Sequence, residues 1–240
     1  MSGLRQARAP RLPSSAPVDI DADAAVLREI CESLALEPGP QEIDLLLRYL
    51  ALLQRWNATY NLTAVRERRS MLTQHLADCL AAVVALERVA PRGSARRILD
   101  VGSGGGLPGV LLAIHRDDWR VTCIDAVAKK AAFVRQVAGA LGLPNLQSEN
   151  RRVEQWTDAA RGAPFDLITA RAFATLAELV RLTRRHLHGD GCWMAMKGQV
   201  PESEIAELPP DVEVFHVEPL AVPGLQVRRC LVWMRLRRDT

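Results

Sequence analysis

The stretch from Ile98 to Gly109 joins an apolar run to a cluster of glycines, a pattern suited to binding a ligand through the backbone. The apolar run ends at Val101, four glycines lie within the next five positions, and Pro108 stands where a helix would begin. This pattern predicts a buried strand, a tight turn and a helix start. Glycines let the backbone approach a ligand where any Cβ would collide. Such turns, at the carboxyl ends of parallel strands, bind nucleotide-like cofactors.

The turn is compatible with two kinds of cofactor. Gly104 to Gly109 has the G-x-G-x-x-G spacing of a dinucleotide loop, and Asp100 to Gly106 has the D-x-G-x-G-x-G spacing of an S-adenosylmethionine loop. Asp100 favours the second, because a carboxylate repels pyrophosphate but attracts the ammonium group of a methionine moiety. Asp125 follows the next predicted strand, where either cofactor places its ribose, although a helix N-cap would also explain it. S-adenosylmethionine is therefore expected, and a nicotinamide-dependent oxidoreductase is the alternative.

Length and composition indicate one α/β domain with an extension. A chain of 240 residues can bury a sizeable core. It has no apolar run of about 18 residues and no hydrophobic signal core, so we expect a cytoplasmic protein without membrane contact. The five cysteines are scattered and never spaced C-x-x-C, so we expect reduced thiols and no metal site. Only three of the 31 basic residues are lysine, and arginine suits phosphate recognition, although a GC-rich genome would also enrich arginine.

The chain divides into three parts by pattern. Residues 1–20 are rich in proline and serine and predict a disordered leader, residues 21–94 a helical cap, and residues 95–240 a methyltransferase domain. Helical periodicity covers three segments of the cap: Asp21–Leu36, Pro40–Trp56 and Ser70–Leu86.

Strand and helix patterns alternate after residue 95, which is typical of a parallel sheet. The predicted strands lie near 97–101, 120–124, 145–148, 165–170, 191–196, 211–218 and 227–236. The predicted helices lie near 108–115, 127–141, 174–187 and 201–207, with a short one after Val153. The last two strands leave no room for a long helix and predict an antiparallel edge hairpin. We therefore expect a Rossmann-like, class I methyltransferase fold with a mostly parallel seven-stranded sheet and an N-terminal helical extension.

Several motifs occur together and in order: Trp56-Asn57-x-x-Tyr60-Asn61-Leu62-Thr63, His75-x-x-Asp78, Gly102–Gly109, Arg152-Val153-Glu154, Ala170–Ala174 and Met196–Gln199. In these motifs the chain, from about residue 40 to 236, resembles the small-subunit ribosomal RNA methyltransferase G family, also called glucose-inhibited division protein B. The resemblance implies methyl transfer from S-adenosylmethionine to N7 of one guanine in the decoding-region loop of 16S rRNA. The implied partner is 16S rRNA or the small ribosomal subunit, and we expect a monomer. Many relatives have threonine at position 103, and proline or alanine at position 105, where this chain has serine and glycine.

The resemblance also implies which residues bind the cofactor. By motif, these are Gly102, Leu107, Val153, Glu154 and Arg171, and we add the loop residues and the ribose acid, Asp100, Ser103, Gly104 and Asp125. Gly102 would let the backbone touch the methionine portion, and residues 153–154 would border the adenine. Taken alone, Glu154 would be an ordinary acid at a helix start.

Guanine N7 carries a lone pair and no proton, so its attack on a sulfonium methyl group needs no general base. The sequence agrees, because Thr169–Phe173 stands where methylases of exocyclic amines have an Asn/Asp-Pro-Pro-aromatic turn, and no cysteine nucleophile ends that strand. The catalytic candidates are Arg171, touching guanine O6 or the cofactor carboxylate, and Lys197, holding a phosphate or the target loop.

Candidate RNA contacts come from both parts of the chain: Lys197, Arg152, Asn57, Asn61 and His75. Charge runs are more often solvated faces, and for His75-x-x-Asp78 a hydrogen bond on one helix face is the preferred explanation. N7 lies in the deep groove of an RNA duplex, so the target guanine must be in a loop or flipped out. A non-catalytic RNA-binding or assembly factor on the same scaffold is the second alternative.

Overall fold

A computed structural model describes residues 20–89, 96–157 and 162–237. Its N-terminal part is helical. Helix α2 begins with Pro40, which needs no hydrogen-bond partner for its nitrogen, and buries a leucine-rich face as predicted. It runs past the predicted end at Trp56 and closes on Asn61, which takes the left-handed conformation of a helix cap. The helical elements are α1 (Ile20–Ser33), α2 (Pro40–Tyr60), α3 (Arg68–Met71), a π-helical segment (Leu72–Ala77) and α4 (Asp78–Val89).

The part of the chain after α4 contains a seven-stranded sheet in the order β3-β2-β1-β4-β5-β7-β6. All neighbouring strands are parallel except for β7, which is antiparallel to both β5 and β6. The predicted fold class and edge hairpin are therefore confirmed. The strands are β1 (Arg97–Val101), β2 (Arg120–Asp125), β3 (Leu146–Asn150), β4 (Phe165–Arg171), β5 (Leu187–Lys197), β6 (Val212–Pro219) and β7 (Cys230–Leu236).

Helices and short 3-10 turns connect the parallel strands, and several predicted boundaries were wrong by a few residues, among them the starts of β5 (predicted near 191, observed at Leu187) and of β7 (predicted near 227, observed at Cys230). The helix predicted over 174–187 ends at Thr183 and is followed by a short 3-10 turn, because the fifth strand already begins at Leu187. The other helices lie close to their predicted positions. They are α5 (Gly109–His115), α6 (Ala128–Leu141), α7 (Leu176–Thr183) and α8 (Glu202–Ala206), with 3-10 turns at Val153–Gln155 and Arg184–His186.

The two faces of the sheet bury separate hydrophobic clusters. Adjacent residues of β1 point to opposite sides, so Ile98 joins one cluster and Leu99 the other. The cluster that contains Ile98 also includes Leu27 of α1, Leu50 of α2 and Leu80 of α4. The N-terminal helices thus share a core with the sheet. This continuity fixes them against the carboxyl edge of β1, where the glycine turn lies.

The predicted division into a leader (1–20), a helical cap (21–94) and a methyltransferase domain (95–240) stays a prediction, since residues 1–19, 90–95 and 238–240 lie outside the described residues.

No helix in the described part of the chain is long and apolar enough to cross a bilayer. All five cysteines are free, four of them buried and Cys192 half-buried.

His115, the last residue of α5, ties two N-terminal helices to the sheet domain. Its Nδ1 lies 2.6 Å from Oε1 of Glu42 on α2, and its Nε2 lies 2.9 Å from Oε1 of Glu87 on α4. Burial alone would lower the pKa of His115, but the two glutamate hydrogen bonds outweigh it and raise the pKa. The protonated imidazole therefore bridges two carboxylates.

We expect His115→Asn to destabilise the protein more at pH 6 than at pH 8.5. A raised folded-state pKa means that the stabilisation is complete below the unfolded value and is lost as the pH rises through the folded value. Urea unfolding at both pH values should show a larger loss of unfolding free energy on substitution at the lower pH. His216→Asn, at an exposed position of β6, is the control. An equal cost of His115→Asn at both pH values would contradict the bridge.

Candidate active site

The turn between β1 and α5 is held in left-handed backbone conformations at three glycines. Gly102, Gly104 and Gly106 have φ values of +65°, +58° and +82°, which L side chains rarely adopt. Gly102 N–H donates to the Ile124 carbonyl at 2.9 Å, so the turn leaves β1 toward the end of β2. The predicted strand, turn and helix are confirmed. The outcome is a row of backbone groups at the carboxyl edge of the sheet.

Asp125, at the end of β2, fixes this turn from the side. Its Oδ2 accepts the Gly104 amide at 3.0 Å, and its Oδ1 accepts the Val127 amide at 2.8 Å. The Asn150 side-chain amide donates to the Asp125 carbonyl at 3.0 Å. The bond to Val127 closes an Asx turn before α6 and is not a helix cap, because Val127 itself is the N-cap and receives no side-chain cap bond, so the alternative interpretation of Asp125 as an N-cap was wrong.

Asp100 lies beneath the turn rather than on its surface. The side chain is fully buried, and its Oδ2 accepts the Gly109 amide at 2.9 Å. Oδ1 has no hydrogen-bond partner in the described structure. Burial raises the pKa of Asp100 to about 7, against the lowering effect of the Gly109 amide and of the Arg171 charge. A Cβ on Gly109 would meet Oδ2 at 2.8 Å, so glycine is required for this approach.

Tyr49 of α2 reaches the turn from the N-terminal helices. Its hydroxyl donates to the Gly105 carbonyl at 2.7 Å, and its side chain is fully buried. Burial raises the pKa of Tyr49 well above its usual range, so the hydroxyl keeps the proton that it donates. Sequence reasoning missed this residue, because a tyrosine in a leucine-rich helix face carries no sign of a polar partner 56 positions away.

A cleft of about 450 Å³ opens beside the turn. Its lining includes Gly102, Asp125, Val153 and Glu154, which brings together four of the predicted cofactor residues. Ser103 and Leu107 are buried within the turn itself. The cleft is thus formed by the carboxyl ends of β1 and β2 and by the segments that follow β3 and β4, the place where open α/β sheets bind ligands.

The segment after β4 forms the opposite wall. Ala172 has φ +49°, which costs an L residue about 1 kcal/mol, and Phe173 lies against Gly102. A Cβ on Gly102 would stand 2.5 Å from Cδ2 of Phe173, so the glycine makes room for the ring. Strained backbone of this kind is concentrated at functional sites.

Arg171 points away from the cleft, toward the N-terminal helices. Its Nη1 donates to Oδ2 of Asp78 at 3.2 Å and to the Gln74 carbonyl at 3.3 Å. Within the described residues it is not part of the cleft lining. Its charge nevertheless acts on Asp100, whose pKa it lowers. Arg171 therefore lies beside the methionine end of the predicted site rather than beside Val153 and Glu154.

Lys197 is already paired in this structure. Its Nζ donates to both carboxylate oxygens of Glu204, at 2.7 and 3.0 Å, and to the Ala174 carbonyl at 3.0 Å. Glu204 also accepts the Leu176 amide that begins α7. Lys197 thus joins α8 to the segment that carries Phe173. This pairing differs from the sequence-based prediction that Lys197 holds a phosphate or the target loop.

Two of the predicted RNA contacts are buried and need correction. Asn57 donates to the Val65 carbonyl and accepts the Thr63 amide, and His75 Nε2 accepts the Thr63 hydroxyl at 2.7 Å. Burial and the Arg171 charge lower the pKa of His75 to about 4, so it is neutral. These side chains hold the turn after α2 by hydrogen bonds, and they are too buried to contact RNA. The predicted hydrogen bond between His75 and Asp78 was also wrong, since Asp78 instead accepts from arginines.

Asn61 and Arg152 are exposed and remain open to solvent. Asn61 accepts a hydrogen bond from Arg66, and Arg152 stands 3.7 Å from Glu154 at the mouth of the cleft. No group of three or more His, Cys, Asp or Glu side chains in the described part of the chain has the arrangement of a metal site.

Comparisons with known proteins agree on the class. A variant of MtNAS in complex with S-adenosylmethionine aligns over 92% of this chain and 93% of that one, with a TM-score of 0.54 and 16% identity. A SAM-dependent methyltransferase from Aquifex aeolicus aligns over 70% of this chain and 93% of that one, with a TM-score of 0.51 and 14% identity. At such low identity these structures establish the fold alone, that of S-adenosylmethionine-dependent enzymes.

The family model "rRNA small subunit methyltransferase G" matches residues 42–232. The ribosomal RNA small subunit methyltransferase G of Leptothrix cholodnii is 59% identical over 207 residues, which are 86% of this chain and 92% of that protein. The chain therefore belongs to the rRNA small subunit methyltransferase G family. It is a methyltransferase that uses S-adenosylmethionine, and the predicted resemblance is confirmed.

The residues of the cleft fit this cofactor. Gly102 and Asp125 line the cleft, the first without a Cβ and the second with a carboxylate, and beneath the turn Oδ1 of Asp100 has no hydrogen-bond partner among the described residues. Carboxylates suit the ribose hydroxyls and the ammonium group, which are hydrogen-bond donors of S-adenosylmethionine together with its adenine amino group. The volume of the cleft lies within the range of small-molecule sites.

We expect Tyr49→Phe to weaken the binding of S-adenosylhomocysteine about five- to tenfold, measured by calorimetry. Losing the hydroxyl leaves the buried Gly105 carbonyl without a partner, which costs about 1 kcal/mol or more and loosens the turn. Tyr60→Phe, at an exposed tyrosine at the end of α2, should leave the affinity unchanged. A lower melting temperature with unchanged affinity would mean that Tyr49 stabilises the fold without positioning the turn.

Proposed function

We propose that this protein transfers the methyl group of S-adenosylmethionine to N7 of a single guanine in the decoding-region loop of 16S rRNA. When bound, the cofactor supplies an electrophilic methyl group on its sulfonium. Family membership supports the ribosomal substrate. The choice of N7 follows from which catalytic groups the site offers.

The observation that carries N7 is that, among the described residues, the cleft is lined by neither a thiolate nor a base tuned to neutral pH, since Asp100, whose pKa is about 7, lies fully buried beneath the turn and outside the cleft lining. Burial raises the pKa of every cysteine thiol, among them Cys192 to about 11 and Cys79 to about 12, so none is poised as a nucleophile. His75 is neutral, but its Nε2 already accepts a hydrogen bond from the Thr63 hydroxyl. A ring nitrogen that attacks through its own lone pair needs neither group. The protein then has only to hold the base in line and exclude water.

We assign the cofactor contacts as follows. Gly102 and Gly104 would face the methionine part through their backbone, while Leu107 and Ser103 support the turn. Asp125 would accept the ribose hydroxyls, and Val153 and Glu154 would border the adenine. Asp100 would hold the ammonium group through Oδ1 or a water, and Arg171 would lie beside the carboxylate.

The catalytic roles are positional in this proposal. Arg171 and Lys197 both lie at the carboxyl edge of the sheet. Lys197, through Glu204 and Ala174, would hold the wall that carries Phe173, so its part in RNA binding is indirect. Arg152 and Asn61 are the exposed candidates for RNA contact. We further propose that the protein acts in the cytoplasm, where ribosomes mature, and as a monomer.

Small subunits from a strain that lacks the gene test the proposal. They are incubated with the protein and S-adenosylmethionine, and the rRNA is then reduced, cleaved with aniline and examined by primer extension. We expect one strong stop in the decoding-region loop, since this treatment cleaves at N7-methylguanine. Gly102→Val is the inactive control, because its side chain would collide with Phe173. Methyl incorporation without an aniline-sensitive site would overturn N7 while leaving the rRNA methyltransferase intact.

Two further measurements on the purified protein distinguish the proposal from its two alternatives. Thermal stabilisation by NADH and not by S-adenosylhomocysteine would favour an oxidoreductase. Tight rRNA binding without any methyl incorporation would favour a non-catalytic assembly factor.

The pKa of Asp100 predicts a pH-dependent affinity for S-adenosylhomocysteine. With a pKa of about 7, its carboxyl is roughly one-tenth ionised at pH 6 and nine-tenths at pH 8. Because the ionised form attracts the ligand's ammonium group, calorimetry should show affinity rising up to about tenfold over this interval. Asp100→Asn should bind weakly and without this rise.

A ligand without the ammonium group is the control for this pH effect. Methylthioadenosine has the same adenosine and thioether but no amino acid portion. Its affinity should not rise from pH 6 to pH 8. If both ligands responded alike, Asp100 would not be the group that holds the ammonium.

A further inference from the structure

Asp78 joins two arginines from distant strands. It stands where the π-helical segment passes into α4, and its side chain is only 4% exposed. Oδ2 accepts from Arg171 Nη1 at 3.2 Å, and Oδ1 accepts from Arg229 Nε at 3.0 Å. π-Helical turns are rare and frequently mark functional sites. One buried carboxylate therefore orients a guanidinium at the end of β4 and another just before β7.

This cluster keeps an excess of positive charge. Asp78 supplies one negative charge for two guanidinium groups, and the neighbouring His75 is neutral at physiological pH. By contrast, Lys197 on the same edge is neutralised by Glu204. The arginine pair is therefore a place on this edge where an anion would gain a charge-assisted bond.

Arg229 has donors available for such an anion. Its Nε bonds to Asp78 and its Nη1 to the Arg228 carbonyl, whereas Nη2 has no hydrogen-bond partner among the described residues. The side chain is 27% exposed. A guanidinium held by a buried carboxylate is preorganised, so little conformational freedom is lost when it binds a phosphate.

Arg229 also lies at the edge of the sheet where β5 ends. It precedes Cys230, which pairs in register with Lys197 at the end of β5, and a Cβ on Gly198 would lie 4.0 Å from Nη1 of Arg229. Since β5 is parallel to β4, this is the same carboxyl edge at which β4 ends in Arg171.

We propose that Arg229 binds a backbone phosphate of the RNA next to the target nucleotide, and that Asp78 positions Arg229 together with Arg171. This inference rests on the proposed function for the identity of the RNA. It needs no methyl transfer for its test, because binding of the RNA strand is measurable by itself.

The test measures equilibrium binding of a fluorescent decoding-region RNA by anisotropy at several salt concentrations, with calorimetry of S-adenosylhomocysteine beside it. For Arg229→Ala we expect RNA affinity to fall about tenfold and the slope of log affinity against log salt to decrease by about 0.7 to 1, the loss of one phosphate contact. The affinity for S-adenosylhomocysteine should stay within twofold. Arg229→Lys should recover part of the RNA affinity.

The matched control is Arg235→Ala, which removes an arginine of the adjoining strand β7 that pairs with Glu213 at the surface. It should change neither affinity nor slope. Asp78→Asn, nearly equal in size, should lower RNA affinity less than Arg229→Ala, since Arg229 keeps its charge and loses only the carboxylate that orients it. If Asp78→Asn does not fold, the two Arg229 variants and the control still decide the question.

Two results would overturn the inference. Arg229→Ala with unchanged RNA affinity and salt slope would make the arginine a structural partner of Asp78 only. A loss of S-adenosylhomocysteine affinity with unchanged RNA binding would move Arg229 to the cofactor site. If the RNA effects appear but the wild-type protein gives no aniline-sensitive stop, the N7 proposal fails and the phosphate site stands.

Discussion

The structure depends on holding three glycines of one turn in left-handed backbone conformations. Such a turn is entropically costly, because glycine loses more freedom on folding than any other residue. Bonds from three directions hold it in place. Asp100 accepts the Gly109 amide from below, Asp125 accepts the Gly104 amide from the side, and Tyr49 donates to the turn from above. A single surface of backbone is therefore fixed by carboxylates and a phenol that lie far apart in the chain.

The hydrogen bond from Tyr49 explains why the N-terminal helices form one unit with the sheet domain. They share a hydrophobic core with the sheet and carry the groups that face its carboxyl edge: Tyr49 toward the cofactor turn and Asp78 toward Arg171 and Arg229. Buried charge is expensive unless paired, so each of these contacts restricts how the helices can pack. The same contacts that fix the fold thereby set the electrostatics beside the glycine turn and at the ends of β4 and β5.

Local patterns in the sequence predicted the turn, the alternating strands and helices, and the edge hairpin, because glycine spacing and apolar periodicity act over a few residues. Contacts over long separations were missed. Asp78 meets Arg229 across 151 positions, and Tyr49 meets Gly105 across 56. The π-helical segment from Leu72 to Ala77 also escaped prediction, since its residues fit an ordinary helix. Burial of His75 was likewise invisible, as polar residues are usually exposed.

The central claim is that the cofactor rests on the backbone of the glycine turn, at the edge formed by β1 and β2. Amide chemical shifts of ¹⁵N-labelled protein, followed during titration with S-adenosylhomocysteine, test it most directly. We expect the largest changes at Gly102, Gly104, Gly105 and Val153. The amides around a separate groove between α1 and α2, which Pro38 helps to line, should not shift. Saturable changes confined to that groove, or to any other surface, while the turn amides stay in place, would contradict it.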